Sequence, residues 1–138
     1  SGSLSMVAQV HAKDLQENEP QSEKGCNLHS WSKSDKWKGC CYTPDHQNAN
    51  CMWKKPKELT NYKGNGFEIA SINTKEMTAG EAFETWRKST QHRNVILNRK
   101  TWKDTEWNAI GVGIFENYAT VWFGKKKDKR ETKLCSEK

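Results

Sequence analysis

The side chains best equipped for chemistry in this 138-residue chain are its five cysteines, four of which, Cys26, Cys40, Cys41 and Cys51, crowd into one polar stretch. That stretch cannot bury much apolar surface, so cross-linking is the expected way to hold it, and an oxidising, extracytoplasmic setting follows. Joining the adjacent Cys40 and Cys41 would strain the bridge. The pairings 26–40 with 41–51, and 26–41 with 40–51, both stay open. Each bridge would contribute about 2–4 kcal/mol by restricting the unfolded chain. The competing use is a structural zinc site drawn from Cys26, His29, Cys40, Cys41, His46 and Cys51, whose spacings match no finger pattern. Cys135 is the odd thiol: free, tethered to a partner, or paired in place of one of the four.

Trp31, Trp37 and Trp53 lie in the same stretch among Lys33, Lys36, Lys38, Lys54, Lys55 and Lys57. Aromatics interleaved with cations can stack on sugars or bases, which makes a polyanion or glycan surface one reading. The other is a mini-core of tryptophans around the disulfides, covered by lysine stems. No nucleophile relay stands out: there is no Gly-x-Ser-x-Gly, and a set such as Ser89, His92 and Glu68 can be assembled from almost any chain. Gly64-x-Gly66 and Gly111-x-Gly113 are not phosphate loops. The first lacks the following Lys-Ser/Thr and helix, the second sits inside an apolar strand, and close backbone packing explains both better.

The elements that must position these groups come from a chain of one domain's length. Hydrophobic residues are 33% of the total and charged residues 29%, and mean hydropathy is -1.04, so the core is small and needs the tryptophans and cysteines as supplements. Ten per cent aromatics with a net charge of +6 argues for a folded chain rather than a disordered one. No apolar run approaches the ~20 residues of a membrane span. The start Ser1-Gly2-Ser3 reads as a processed end, which leaves room for a removed secretion signal.

Leu4, Val7, Ala8, Val10, His11 and Leu15 fall at helical spacing and predict a helix over 4–15, stopped by Asn18-Glu19-Pro20. Residues 20–65 form a cysteine- and tryptophan-rich insert, too long for an ordinary loop unless stapled. Gly66 to Ile72 alternates with period two and predicts a strand. Thr78 to Thr90 predicts a second helix, with Thr78 as N-cap, Glu81 completing a capping box, and Ala82, Phe83 and Trp86 as the buried stripe. Asn94 to Asn98 reads as an apolar patch, a turn of helix. Ala109 to Phe115 and Tyr118 to Phe123 predict a hairpin across Glu116-Asn117, since Asn tolerates positive φ. The expected fold is α+β with a small antiparallel sheet, and 125–138, opening Lys125-Lys126-Lys127-Asp128-Lys129-Arg130, is a basic, solvated C-terminal tail.

Several segments in this order resemble the CAP superfamily, the secreted domain of cysteine-rich secretory proteins and plant pathogenesis-related class 1 proteins. Ala8 to Asp14 resembles its Ala-x-x-His-Ala-x-Asp helix, Cys26-Asn27-Leu28-His29-Ser30 its Cys…His-Ser segment, and Gly66-Phe67-Glu68-Ile69-Ala70 its Gly-Glu-Asn-[Ile/Leu]-Ala strand, with Phe67 intervening. Trp86 to Leu97 is similar to the bacterial form Trp-x-x-Ser-x-x-His-Arg-x-x-[Ile/Leu]-Leu, and Ile110 to Ile114 with Tyr118 to Gly124 to the closing hairpin. The resemblance covers 1–124 and implies an α-β-α sandwich with a central antiparallel sheet. The family's longer first helix has no counterpart before Leu4, so the chain is truncated or this member reduced there.

Many members line a cleft with two His and two Glu. The resemblance carries three of those positions onto His29, Glu68 and His92, while the second Glu is replaced by Ser89, at the cleft rim. Two imidazoles and a carboxylate with an open position are the inventory of a Zn²⁺ site. No cofactor is required by the sequence, and zinc is the one the trio could hold. Glu68 is a weak candidate for general base on metal-activated water, with nothing resembling His-Glu-x-x-His nearby. In the purely structural alternative the two histidines hydrogen-bond Glu68 and tie insert, strand and helix together.

The function expected is therefore a secreted, periplasmic or cell-surface bacterial CAP domain, a non-catalytic module for a small ligand or extracellular partner. The alternatives are a metal-dependent peptidase or esterase, and polyanion or glycan binding through the Lys/Trp-rich insert. The sequence does not favour nucleic acid and leaves the oligomeric state open.

Overall fold

The computed structural model of the chain describes residues 1–130 and 132. The first helix, α1 (Gly2–Asn18), is longer at both ends than its apolar spacing predicts. Ser1 extends the start, its hydroxyl accepting the Leu4 N–H at 3.0 Å. Glu19 ends the helix in the left-handed region at φ 48, and Pro20, which cannot continue it, follows. Leu4, Val7, Ala8, His11, Ala12 and Leu15 form its fully buried stripe.

The insert is mostly irregular but contains a 3-10 turn, Pro20–Ser22, and two short helices, α2 (Ala49–Trp53) and α3 (Lys55–Leu59), that its polar composition conceals. Disulfides join Cys26 to Cys41 and Cys40 to Cys51, one of the two pairings left open. This excludes the zinc alternative built on the same thiols. Trp31 and Cys40 pair across a short antiparallel bridge, N–H to O at 2.7 and 2.9 Å. Cys135 lies outside the described residues.

Strand β1 (Phe67–Ile72), helices α4 (Ala79–Lys88) and α5 (Thr90–Ile96), a 3-10 turn (Lys100–Trp102), β2 (Ala109–Phe115) and β3 (Tyr118–Gly124) complete the chain. The sheet is antiparallel in the order β1-β3-β2, with β3 central and buried along its length. Its alternation divides the core. Trp122 packs with Leu4, Val7, Ala8 and Trp31 on the α1 side, while Ala119, Val121 and Phe123 pack with Ile69, Ala82 and Trp86 on the α4 side. The α+β class and small antiparallel sheet are thus as expected.

The glycines of β2 set how close α1 lies. A Cβ on Gly111 would sit 2.1 Å from the Leu4 carbonyl carbon, and one on Gly113 would sit 2.3 Å from that of Ala8. Only bare backbone lets the helix lie flush on that strand.

Three local expectations are corrected. Phe83 is 58% exposed, because α4 covers only β1 and β3 and its Phe83 side faces solvent. In the hairpin turn Glu116, not Asn117, takes the positive φ, at 46. The tail start is not wholly solvated. Its lysines are exposed, but Asp128 accepts hydrogen bonds from Ser1 Oγ at 2.5 Å and from Ser3 N and Oγ at 2.9 and 3.1 Å, pinning the segment to the start of α1.

Candidate functional site

Glu68 sits on β1, an outer strand of the sheet, opposite Trp122 in the β1–β3 register. Its carboxylate is fully buried and both of its oxygens are taken by imidazoles. Oε1 meets His29 Nδ1 at 2.8 Å, and Oε2 meets His11 Nδ1 in a short contact. Burial pushes the Glu68 carboxyl upward, but the charge and hydrogen bonds of His11 and His29 outweigh it and hold the carboxyl below its usual range. It is the ionised anchor of the site.

His11 comes from the buried stripe of α1, its ring stacked on Trp31 at a centroid distance of 4.2 Å and 5° between planes. Its Nε2 lies 2.9 Å from the Ser30 carbonyl oxygen. A carbonyl only accepts, so Nε2 carries a hydrogen and donates. Facing the ionised Glu68, Nδ1 must carry one as well. The His11–Glu68 contact is therefore a buried, hydrogen-bonded ion pair, costly to desolvate and costly to break.

Asp14, three residues on and on the same face of α1, accepts the Ser32 N–H at 2.9 Å and also the Ser32 hydroxyl. His11 and Asp14 thus hold both ends of the short segment that follows His29. The Ser30 hydroxyl accepts the Tyr42 N–H at 2.9 Å, the Asn27 side chain accepts the His29 N–H at 3.0 Å, and the Cys26–Cys41 bridge closes the loop behind them.

With Nδ1 committed to Glu68, the His29 ring makes no hydrogen bond through Nε2 among the described residues. Its side chain is 25% exposed, whereas that of Glu68 is fully buried. A histidine whose far nitrogen is held by a carboxylate is the usual arrangement behind a metal ligand. Tyr42 meets the His29 ring edge-on at 5.1 Å, and its hydroxyl is hydrogen-bonded to His46 Nδ1 at 2.9 Å. Burial, then the Glu68 charge, pushes the Tyr42 phenol up, so it stays protonated.

His92 lies on α5, whose start is set by Ser89. The Ser89 hydroxyl accepts the His92 N–H at 3.4 Å. Ser89 therefore caps a new helix; α4 ends before it, so the two residues do not share one continuous helix. Burial, then the nearby His29 ring, lowers the His92 imidazole from its ordinary value, keeping it neutral. Its Nδ1 is buried and hydrogen-bonded to nothing among the described residues.

The structure thus brings Glu68 and His29 into direct contact and leaves His92 within electrostatic reach of His29 but hydrogen-bonded to neither. The residue the sequence reading left in the core is His11, and its signal was present: a histidine and an aspartate three apart inside an otherwise apolar helical stripe. Among the described residues no three His, Cys, Asp or Glu side chains are grouped so as to hold a metal ion together. Glu68, with both oxygens engaged, stands behind His11 and His29. Comparison with known proteins finds no matching family model, no matching curated protein and no matching solved structure.

Proposed function

We propose that this chain is a CAP-type domain working outside the cytoplasm as a non-catalytic binding module, in which His29 and His92 take a divalent metal or a small hydrogen-bonding ligand. The observation that carries the reading is the buried Nδ1 of His92, without a partner among the described residues and within electrostatic reach of a His29 ring already oriented by Glu68. A nitrogen desolvated without a partner costs about 1–3 kcal/mol, and a ligand arriving there would recover it. Two disulfides favour an oxidising compartment, and no helix among the described residues is long and apolar enough to cross a membrane. Helices on both faces of a three-stranded antiparallel sheet support the CAP-type sandwich, as does the use of His11 and Asp14 by the segment after Cys26.

A bound Zn²⁺ would be held by His29 and His92, with Glu68 fixing the His29 ring from behind. Metal would polarise a ligand oxygen there. The hydrolase alternative needs Glu68 as a free base, and both of its oxygens are occupied by imidazoles. The test is thermal unfolding against zinc chloride. The melting temperature should rise by mass action, about 2.7 kcal/mol of stabilisation at a hundredfold excess over Kd, and His29→Gln and His92→Gln should each abolish the rise. Zinc-stimulated ester or peptide hydrolysis lost in His92→Gln would overturn the non-catalytic reading.

A further inference from the structure

Away from the histidines, the sheet edge carries an aromatic array centred on Phe67. Its ring lies 5.6 Å from Trp53, 5.3 Å from Trp102 and 5.5 Å from Trp107, measured between centroids. Trp107 is spent on the fold, its Nε1 donating to the Val95 carbonyl at 2.8 Å. Trp53 and Trp102 remain half-exposed with no hydrogen bond to either indole nitrogen among the described residues. The other two tryptophans of the insert are not available: Trp31 is buried at 2% exposure, and Trp37 donates to Ser32.

Beside the array runs a groove of about 290 Å³ lined by Lys57, Lys63, Asn65, Phe67, Lys125 and Lys126, with Gly64 in its floor. No carboxylate lines it. None of those four ammonium groups forms an ion pair among the described residues. Lys125 Nζ stands over the Phe67 ring at 5.4 Å, and Lys57 donates to Asn65 Oδ1 at 3.0 Å, which turns the Asn65 amide hydrogens free for another acceptor. Four unpaired cations concentrated on one groove make a site for a polyanion, and the adjoining aromatics require that it also present flat apolar faces.

We propose that this groove and the Phe67 array bind an acidic polysaccharide, with uronate carboxylates at the lysines, hydroxyls at Asn65 and the C–H faces of pyranose rings on Trp53 and Trp102. Nucleic acid offers the same two features, but the disulfides place the chain where acidic glycans are the available polyanion. The site is separate from His29 and His92, so each stands or falls alone.

The experiment is titration of the intact protein with polygalacturonate at low ionic strength, read by tryptophan fluorescence, with neutral dextran and single-stranded DNA as the other arms. Polygalacturonate should bind and weaken with added salt, and dextran should not bind. Trp102→Ala and the pair Lys63→Gln with Lys125→Gln, all at exposed or half-exposed positions, should each weaken it about tenfold, equivalent to 1.4 kcal/mol, while zinc-dependent unfolding stays as in the wild type. No binding at low salt, equal binding of dextran, tighter binding of DNA than of polygalacturonate, or unchanged affinity in the variants would each overturn the proposal.

Discussion

The two histidines around Glu68 do different work, and substitution should separate them. His11 is sealed in the core with both ring nitrogens committed, so His11→Ala leaves a buried carboxylate with one partner and should cost about 3–5 kcal/mol in urea unfolding. The His92 ring hydrogen-bonds to nothing among the described residues, and His92→Ala should change stability by less than about 1 kcal/mol. Equal losses would mean that His92 is a structural tie after all. Lys55 shows the same distinction between type and place. It is fully buried, its Nζ donating to the Lys38 carbonyl at 2.6 Å and to Glu58 at 2.8 Å, above the Trp31 ring at 5.6 Å. Residue type and order pointed to His29, Glu68 and His92, because the motif order bridges 39 and 24 residues that spacing alone cannot relate. The same order did not assign His11 to the site, since a histidine within an apolar helical stripe reads equally as core.

At the scale of elements, the periodic segments were legible and their ends were not. The alternation of Phe67–Ile72 and the capping box at Thr78 act locally, and the observed elements match them. What the polar insert does was hidden, because α2 and α3 are held by disulfides and by Trp31, contacts that no local pattern encodes. The flush packing of α1 on β2 predicts that Gly111→Ala forces the two apart and destabilises by about 1–3 kcal/mol or more, whereas an alanine at Gly80, where nothing lies within 4 Å of the added Cβ, should be neutral or stabilising. Asp128 joins the tail to the amino end of α1, where a carboxylate also meets the helix dipole. Partial burial raises its carboxyl, but hydrogen bonds from Ser1, Ser3 and Arg130 lower it below 3.8. The unfolded state then binds more protons in that interval, so this contribution is present above about pH 3.8 and is lost as pH falls through the lowered value. Asp128→Asn should therefore flatten part of the loss of stability below that pH in urea unfolding; an unchanged acid limb would place the attachment elsewhere.

For the molecule as a whole, the disulfides cross-link the insert within itself, while His11, Asp14 and Glu68 tie it to a domain whose sheet has its own core. Reduction should loosen residues 26–51, and His29 with them, before the β2–β3 hairpin, which amide hydrogen exchange would show as protection lost in the insert while the hairpin keeps its own. Simultaneous loss would mean that the insert is part of one cooperative unit. The central claim is that His29 and His92, with Glu68 behind His29, form a ligand site rather than a structural clasp. The most direct measurement is the imidazole nitrogen NMR spectrum during titration with Zn²⁺. The rings of His29 and His92 should shift together and saturably, His29 through Nε2, while His11 stays still; a spectrum in which zinc leaves both rings unmoved, or moves only His46, would contradict the account.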